Sequence, residues 1–228
     1  VCSSRGRQYR TAAARQFLTW ATQHDAEVIV VPTHGRRGFE RFRLGSFTEL
    51  LITHSTIPIL TLNAATRVPE KVSTLAFPTD LSKDSKAGLE GAIELARRFG
   101  AKLKLIHVGV LPSVPVYGTE FTYGVSADVL AKVYEEAEMD QRRMGLDWAE
   151  DVRKRGIEAE FIYAERGEAL GERLSELASK NGADLVYLPA SHGPFEQMFL
   201  GGTIRDVLAT AEQPVLVVRT KSEPQSQL

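Results

Sequence analysis

Three short stretches carry residues suited to holding an anion. In "VPTHGRRGFERFRLGSFTEL", residues 31–50, an apolar run ends in Thr33, His34 and Gly35, and Gly45 and Ser46 open a helical pattern. In "SHGPFEQMFLGGT", residues 191–203, Ser191, His192 and Gly193 precede Gly201, Gly202 and Thr203. A helix start presents unpaired amide groups and partial positive charge, glycine permits close backbone approach, and a hydroxyl adds a donor. The third stretch, "FPTDLS" at 77–82, sets Pro78, Thr79 and Asp80 at a strand end, where a carboxylate accepts hydrogen bonds from a polar ligand. The alternative is structural: strand–helix connections use glycine simply to turn, and Ser46 or Thr203 serves as an ordinary helix cap.

Other chemistry is less well supported. Of the five histidines, His107 lies in the strand pattern "KLKLIHV" with Val108; it reads first as a hydrogen-bonded core residue, and the pair also stands among the candidate cofactor contacts. No histidine pair has a metal-ligand spacing. Neither a HExxH motif nor a GxxxxGK[ST] loop occurs, and no Ser-His-Asp order is recognisable. Arg36, Arg37, Arg41 and Arg43 make the first loop basic, either as a solvated face or as phosphate contacts.

The elements that must position these residues repeat along the chain. "DAEVIVVPTHG" at 25–35 answers "GADLVYLPASHG" at 182–193, and "LGSFTELLITHSTIPILTL" at 44–62 answers "LGGTIRDVLATAEQPVLVV" at 200–218. Ala26 matches Ala183 at an offset of 157 and Pro58 matches Pro214 at 156. By that offset, residues 72–157 have no counterpart in the first copy.

The second copy reads as strands near 72–77, 102–110, 157–165, 183–189 and 214–220, alternating with helices at 82–100, 126–155, 168–180 and 203–211. Residues 111–125 read as a loop or lid. The long helix has an apolar stripe, Leu130 to Val152, broken by one polar position, Gln141. Trp20 and Trp148 fall on such stripes and are expected in the core. Short Val/Ile/Leu strands alternating with helices predict an α/β fold, an open doubly wound sheet that is mainly parallel and covered on both faces.

Composition bounds the rest. The 228 residues are 43% hydrophobic and 25% charged, with a formal charge of −1, so no nucleic-acid coat is expected. One cysteine excludes an internal disulfide, and no apolar run reaches the roughly 20 residues of a membrane helix. A cytoplasmic protein is expected. No signal peptide is read, and a chain that opens on Val1 does not define its native start.

These segments resemble the universal stress protein family. "AEVIVVPTHGRRGFERFRLGSFTELLITHSTIPIL" and "ADLVYLPASHG…LGGT…QPVLVV" look like the C-terminal halves of its domains, and "LAFPTDLSKDSKAGLEGAIELARRFGAKLKLIHV" like an N-terminal half. The resemblance implies two Rossmann-like units of the tandem type: the first, 1–66, truncated; the second, 67–221, complete; and a disordered tail at 222–228. The family's ATP-binding members carry Gly-x2-Gly-x9-Gly-Ser/Thr for the phosphates and an Asp after the first strand. Gly35, nine residues and Gly45-Ser46 fit, but Pro32 takes the leading glycine place. In the second copy Gly193 fits, Ala190 replaces the leading glycine, seven residues separate Gly193 from Gly201, and Gly202 takes the Ser46 place. Asp80 matches the family's Asp.

The resemblance therefore implies ATP or ADP bound weakly or in one copy, with no metal beyond nucleotide-bound Mg. It also implies a protein acting through assembly rather than catalysis. The alternatives are a degenerate sibling working through protein contacts and an adenine-nucleotide hydrolase. The strands "PILTL" and "PVLVV" are expected to meet or to exchange with another chain. An uncovered first-unit edge predicts a homo-oligomer.

Overall fold

A computed structural model describes residues 4–33, 44–109, 127–165, 169–190 and 202–219. The elements run α1 (Ser4–Gln23), β1 (Ile29–Pro32), α2 (Ser46–His54), β2 (Ile59–Leu62), β3 (Thr74–Pro78), α3 (Lys83–Phe99) and β4 (Lys102–Val108). They continue with α4 (Ala127–Lys154), β5 (Ala159–Ala164), α5 (Leu170–Lys180), β6 (Leu185–Ala190), α6 (Gly202–Thr210) and β7 (Val215–Arg219). Each strand and helix anticipated in the second copy is present within about two residues, the margin at which element ends are ordinarily defined.

One seven-stranded sheet results, in the order β1-β2-β7-β6-β3-β4-β5. Every neighbouring pair is parallel except β2 and β7, which run antiparallel. The two terminal strands of the repeats thus meet inside one chain. Their register is symmetric: Leu60 faces Leu216, its own equivalent at offset 156, while Ile59 faces Val217 and Thr61 faces Val215. A local two-fold relation therefore passes between Leu60 and Leu216. The β1–β2 ladder reproduces the β6–β7 ladder, with Ile29 on Ile59 matching Val186 on Val215.

Alternation along the strands divides the core between the two faces of the sheet. Leu75, Phe77, Leu103 and Leu105 pack with Ile93 of α3 and with Trp148 and Val152 of α4. Ala76, Ile106 and Val186 share the opposite cluster with Leu174 of α5, Val207 of α6, Leu51 of α2 and Ala14 of α1. Burying a Leu, Ile or Phe side chain fully contributes ~1.5–3 kcal/mol, so these layers dominate the stability. α3 begins on Ser82, whose side chain accepts from Ser85 N, and ends on Gly100 at φ 64°, a left-handed cap that suits glycine.

The first unit departs from expectation at Trp20. Trp148 is buried, but Trp20 is 55% exposed, whereas its equivalent Leu177 is 7% exposed. Leu177 shares a cluster with Ile106 and Val108 of β4, and among the described residues no strand lies beyond β1 to play that part. Val30 of β1 shows the same effect on the other face: it is 55% exposed, against 2% for its equivalent Tyr187. β2 is paired on both sides, so among the described residues the open edge of the first unit belongs to β1.

Candidate functional site at the switch point

From β3 the chain builds outward to β4 and β5, then returns to β6 on the far side of β3. Where successive crossovers part in this way, the carboxyl ends of the strands leave a crevice. Pro78, Thr79 and Asp80 stand there, at the end of β3, beside His107 and Val108 at the end of β4.

The turn leaving β3 is held by its own side chains. Thr79 Oγ1 accepts from Leu81 N at 2.9 Å, and Asp80 Oδ1 accepts from Ser82 N at 2.9 Å and from Ser85 Oγ at 2.5 Å. Ser82 Oγ in turn accepts from Ser85 N at 3.1 Å. These bonds fix Leu81 at φ 61°, a left-handed conformation that costs a non-glycine residue about 1–3 kcal/mol. Partial burial pushes the Asp80 carboxyl up, and the hydrogen bonds from Ser82 and Ser85 outweigh it, holding the group below the usual aspartate value. Asp80 is thus an exposed, ionised acceptor on a fixed turn.

Beneath the turn, Thr79 N donates to Ile106 O at 2.9 Å, and His107 Nδ1 lies 2.8 Å from Thr79 O. His107 Nε2 lies 3.1 Å from Gln141 Oε1 on α4. The ring is 2% exposed and both nitrogens are engaged, so its part is to support Thr79 from below. Pro78, Thr79 and Val108 are also buried, which leaves Asp80 as the exposed polar group of this constellation at the mouth. Tyr163 of β5 tilts against His107 at 5.8 Å, and the Arg142 guanidinium sits 3.9 Å over the Tyr163 ring. Gly109 leaves room for the Tyr163 hydroxyl, which a Cβ there would strike.

The phosphate-loop candidates divide between the two units. Thr33 closes β1, its amide donating to Leu62 O at 2.7 Å, and buried Thr48 Oγ1 donates to Pro32 O at 3.2 Å. Gly45 precedes α2 at φ −60° and ψ 134°, a conformation open to any residue, so the turn itself does not require glycine. Ser46, the first residue of α2, accepts from Arg10 Nη1 at 2.8 Å. Gly202 and Thr203 open α6, whose close seat on α5 depends on Gly171: a Cβ there would lie 2.9 Å from Thr203 O. His34, Gly35, Ser191, His192, Gly193 and Gly201 lie outside the described residues, as does the lid segment at 111–125. Pro78, Thr79, Asp80, His107 and Val108 therefore form one constellation, while Thr33, Gly45 and Ser46 belong to a separate place at β1 and α2.

Gln141, Tyr163 and Arg142 had not been anticipated. The signal for Gln141 was its polar side chain within an apolar stripe: it points at a buried ring rather than to solvent.

The family model for the universal stress protein family matches residues 5–63 and 72–219, nearly the whole described fold. The chain belongs to the universal stress protein family. A relative, universal stress protein YxiE of Bacillus subtilis (strain 168), is 26% identical over 140 residues, 61% of this chain and 94% of the relative. Among solved structures, a universal stress protein from Archaeoglobus fulgidus DSM 4304 overlays with a TM-score of 0.63 at 19% identity. That match covers 90% of this chain and 66% of the other. The functionally unknown protein PA1789 from Pseudomonas aeruginosa PAO1 gives a TM-score of 0.60 at 15% identity, covering 91% and 68%. This universal stress protein thus spans about two thirds of the length of those structures, and the overlays establish its mostly parallel, Rossmann-like fold. No helix among the described residues is long and apolar enough to cross a membrane, and no three His, Cys, Asp or Glu side chains there group as metal ligands.

Proposed function

We propose that this universal stress protein is an adenine nucleotide-binding module that acts through assembly and carries out no catalysis. The observation that carries the reading is Asp80, an ionised carboxylate fixed on a strained turn at the switch point. A carboxylate in that place accepts from the hydroxyls or amines of a nucleoside, and the amides and hydroxyls that open α2 and α6 suit phosphates. The ligand is ATP or ADP, with Mg entering only as part of the nucleotide. Residues 1–66 and 67–221 act as two units of a cytoplasmic protein, and the β1 edge, unpaired among the described residues, supports a homo-oligomer.

A second reading is favoured by Pro32 and Pro189. Both occupy strand positions, Pro32 opposite Leu62 and Pro189 opposite Val218, next to where a nucleotide loop would need free amides. In that reading the protein works through contacts with partners alone. Titration calorimetry with ATP and ADP separates the two. Micromolar to millimolar binding supports the first: loss in Asp80→Ala and Gly201→Trp assigns it to the second unit, and loss in Gly45→Trp to the first unit. No heat at millimolar nucleotide overturns it, and sustained phosphate release favours a hydrolase. A monomer by light scattering overturns the oligomer.

A further inference from the structure

We propose that Gln141 is a positioning residue of the switch-point site, acting through His107 on the Thr79 carbonyl and so on the turn that carries Asp80. The proposal rests on the site reading above for its ligand, but its mechanical part stands on geometry alone.

The hydrogen inventory explains why a glutamine suits the place. Thr79 O is a carbonyl and can only accept, so His107 Nδ1, 2.8 Å away, carries a proton. Nε2 then either offers a lone pair or bears a second proton. Gln141 satisfies both states, since its amide turns to present N–H to a neutral ring or Oε1 to a doubly protonated one. No aliphatic side chain does either, and a carboxylate serves only the protonated ring. A buried ring nitrogen left without a partner is costly, and the ring would shift to find one. It would then release the Thr79 carbonyl.

That carbonyl belongs to the residue whose hydroxyl holds Leu81 N, and Leu81 is the left-handed residue between Asp80 and Ser82. The turn is thus restrained on two sides: by Thr79, Asp80 and Ser82 side chains within the loop, and by the ring below. Gln141 belongs to α4, and the neighbouring Arg142 stacks on Tyr163 of β5, which itself lies against His107. The seat of α4 on β4 and β5 is thereby transmitted to the ligand-facing carboxylate some distance along the sheet.

The test compares the full chain with Gln141→Leu and Gln141→Glu. Amide hydrogen exchange at Leu81, Ser82 and Ser85 reads the turn directly, imidazole nitrogen NMR reads His107, and ATP titration reads the site. In Gln141→Leu the three amides should exchange about tenfold faster and ATP affinity should fall about tenfold, as for the loss of one hydrogen bond to a buried group. Gln141→Glu should restore protection and show a His107 ring protonated on both nitrogens. Unchanged exchange at the turn in a folded Gln141→Leu protein overturns the proposal, as does faster exchange spread evenly over the sheet. If wild type binds no ATP while Gln141→Leu still loosens the turn, the relay stands and the nucleotide reading falls.

Discussion

Arg205 of α6 and Glu49 of α2 form an ion pair between the two repeats, and they occupy equivalent positions at the offset of 156 that also relates Leu60 to Leu216. Equivalent residues that meet lie near the local two-fold relation. Two identical units joined this way would set Arg against Arg or Glu against Glu. The repeats have diverged here into opposite charges, which favours each copy pairing with the other rather than with its own kind.

Charge reversal tests this seam. Arg205→Glu and Glu49→Arg should each destabilise the chain, and the double exchange should recover part of the loss. Urea unfolding should give a coupling energy of about 0.5–3 kcal/mol. A cycle with no coupling would show that the pair is a bystander.

Gly145 in the middle of α4 faces Phe161 of β5 so closely that a Cβ would strike the ring. Gly145→Ala should therefore destabilise by about 1–3 kcal/mol through overpacking, although alanine in a helix is ordinarily favoured by about 1 kcal/mol. A stabilised Gly145→Ala protein would mean that Phe161 swings aside. Gly91 meets the Tyr187 hydroxyl in the same manner, and burial pushes that phenol up to about 12, so the ring stays neutral and packed across the physiological range.

Asp80 sets an acid limit on the turn. Its carboxyl is held below the ordinary aspartate value, so the unfolded chain binds the proton more readily than the fold does. The stabilisation is present above the unfolded aspartate value, about 3.9, and is lost as pH falls through the lower folded value. Urea midpoints measured from pH 6 downward should drop through that range in wild type. They should fall less steeply in Asp80→Asn, which keeps an acceptor oxygen but does not titrate. Equal slopes would place the acid sensitivity elsewhere.

Much of the fold was legible because it is periodic. Val, Ile and Leu runs of four to seven residues between helical stripes leave little choice but a buried parallel sheet, and the family resemblance indicated which strands would meet. Asp80 was legible by its place after a strand. What escaped was set by neighbours distant in sequence. Trp20 lies on an apolar stripe, yet its burial depends on strands that a pattern over residues 4–23 does not contain. Gly45 looked like a conformational necessity and adopts an ordinary φ, because the chain enters α2 without reversing. Gln141 read as a gap in an amphipathic pattern, since its ring partner lies 34 residues earlier.

The antiparallel junction of β2 with β7 reverses the sense of the strands halfway across the sheet. Strand tips of the first unit, with Thr33, therefore open on one rim, and those of the second, with Asp80, on the opposite rim. The molecule is two-headed: no single small ligand can bridge both mouths, and any message between them must cross the seam where Leu60 meets Leu216 and Glu49 meets Arg205.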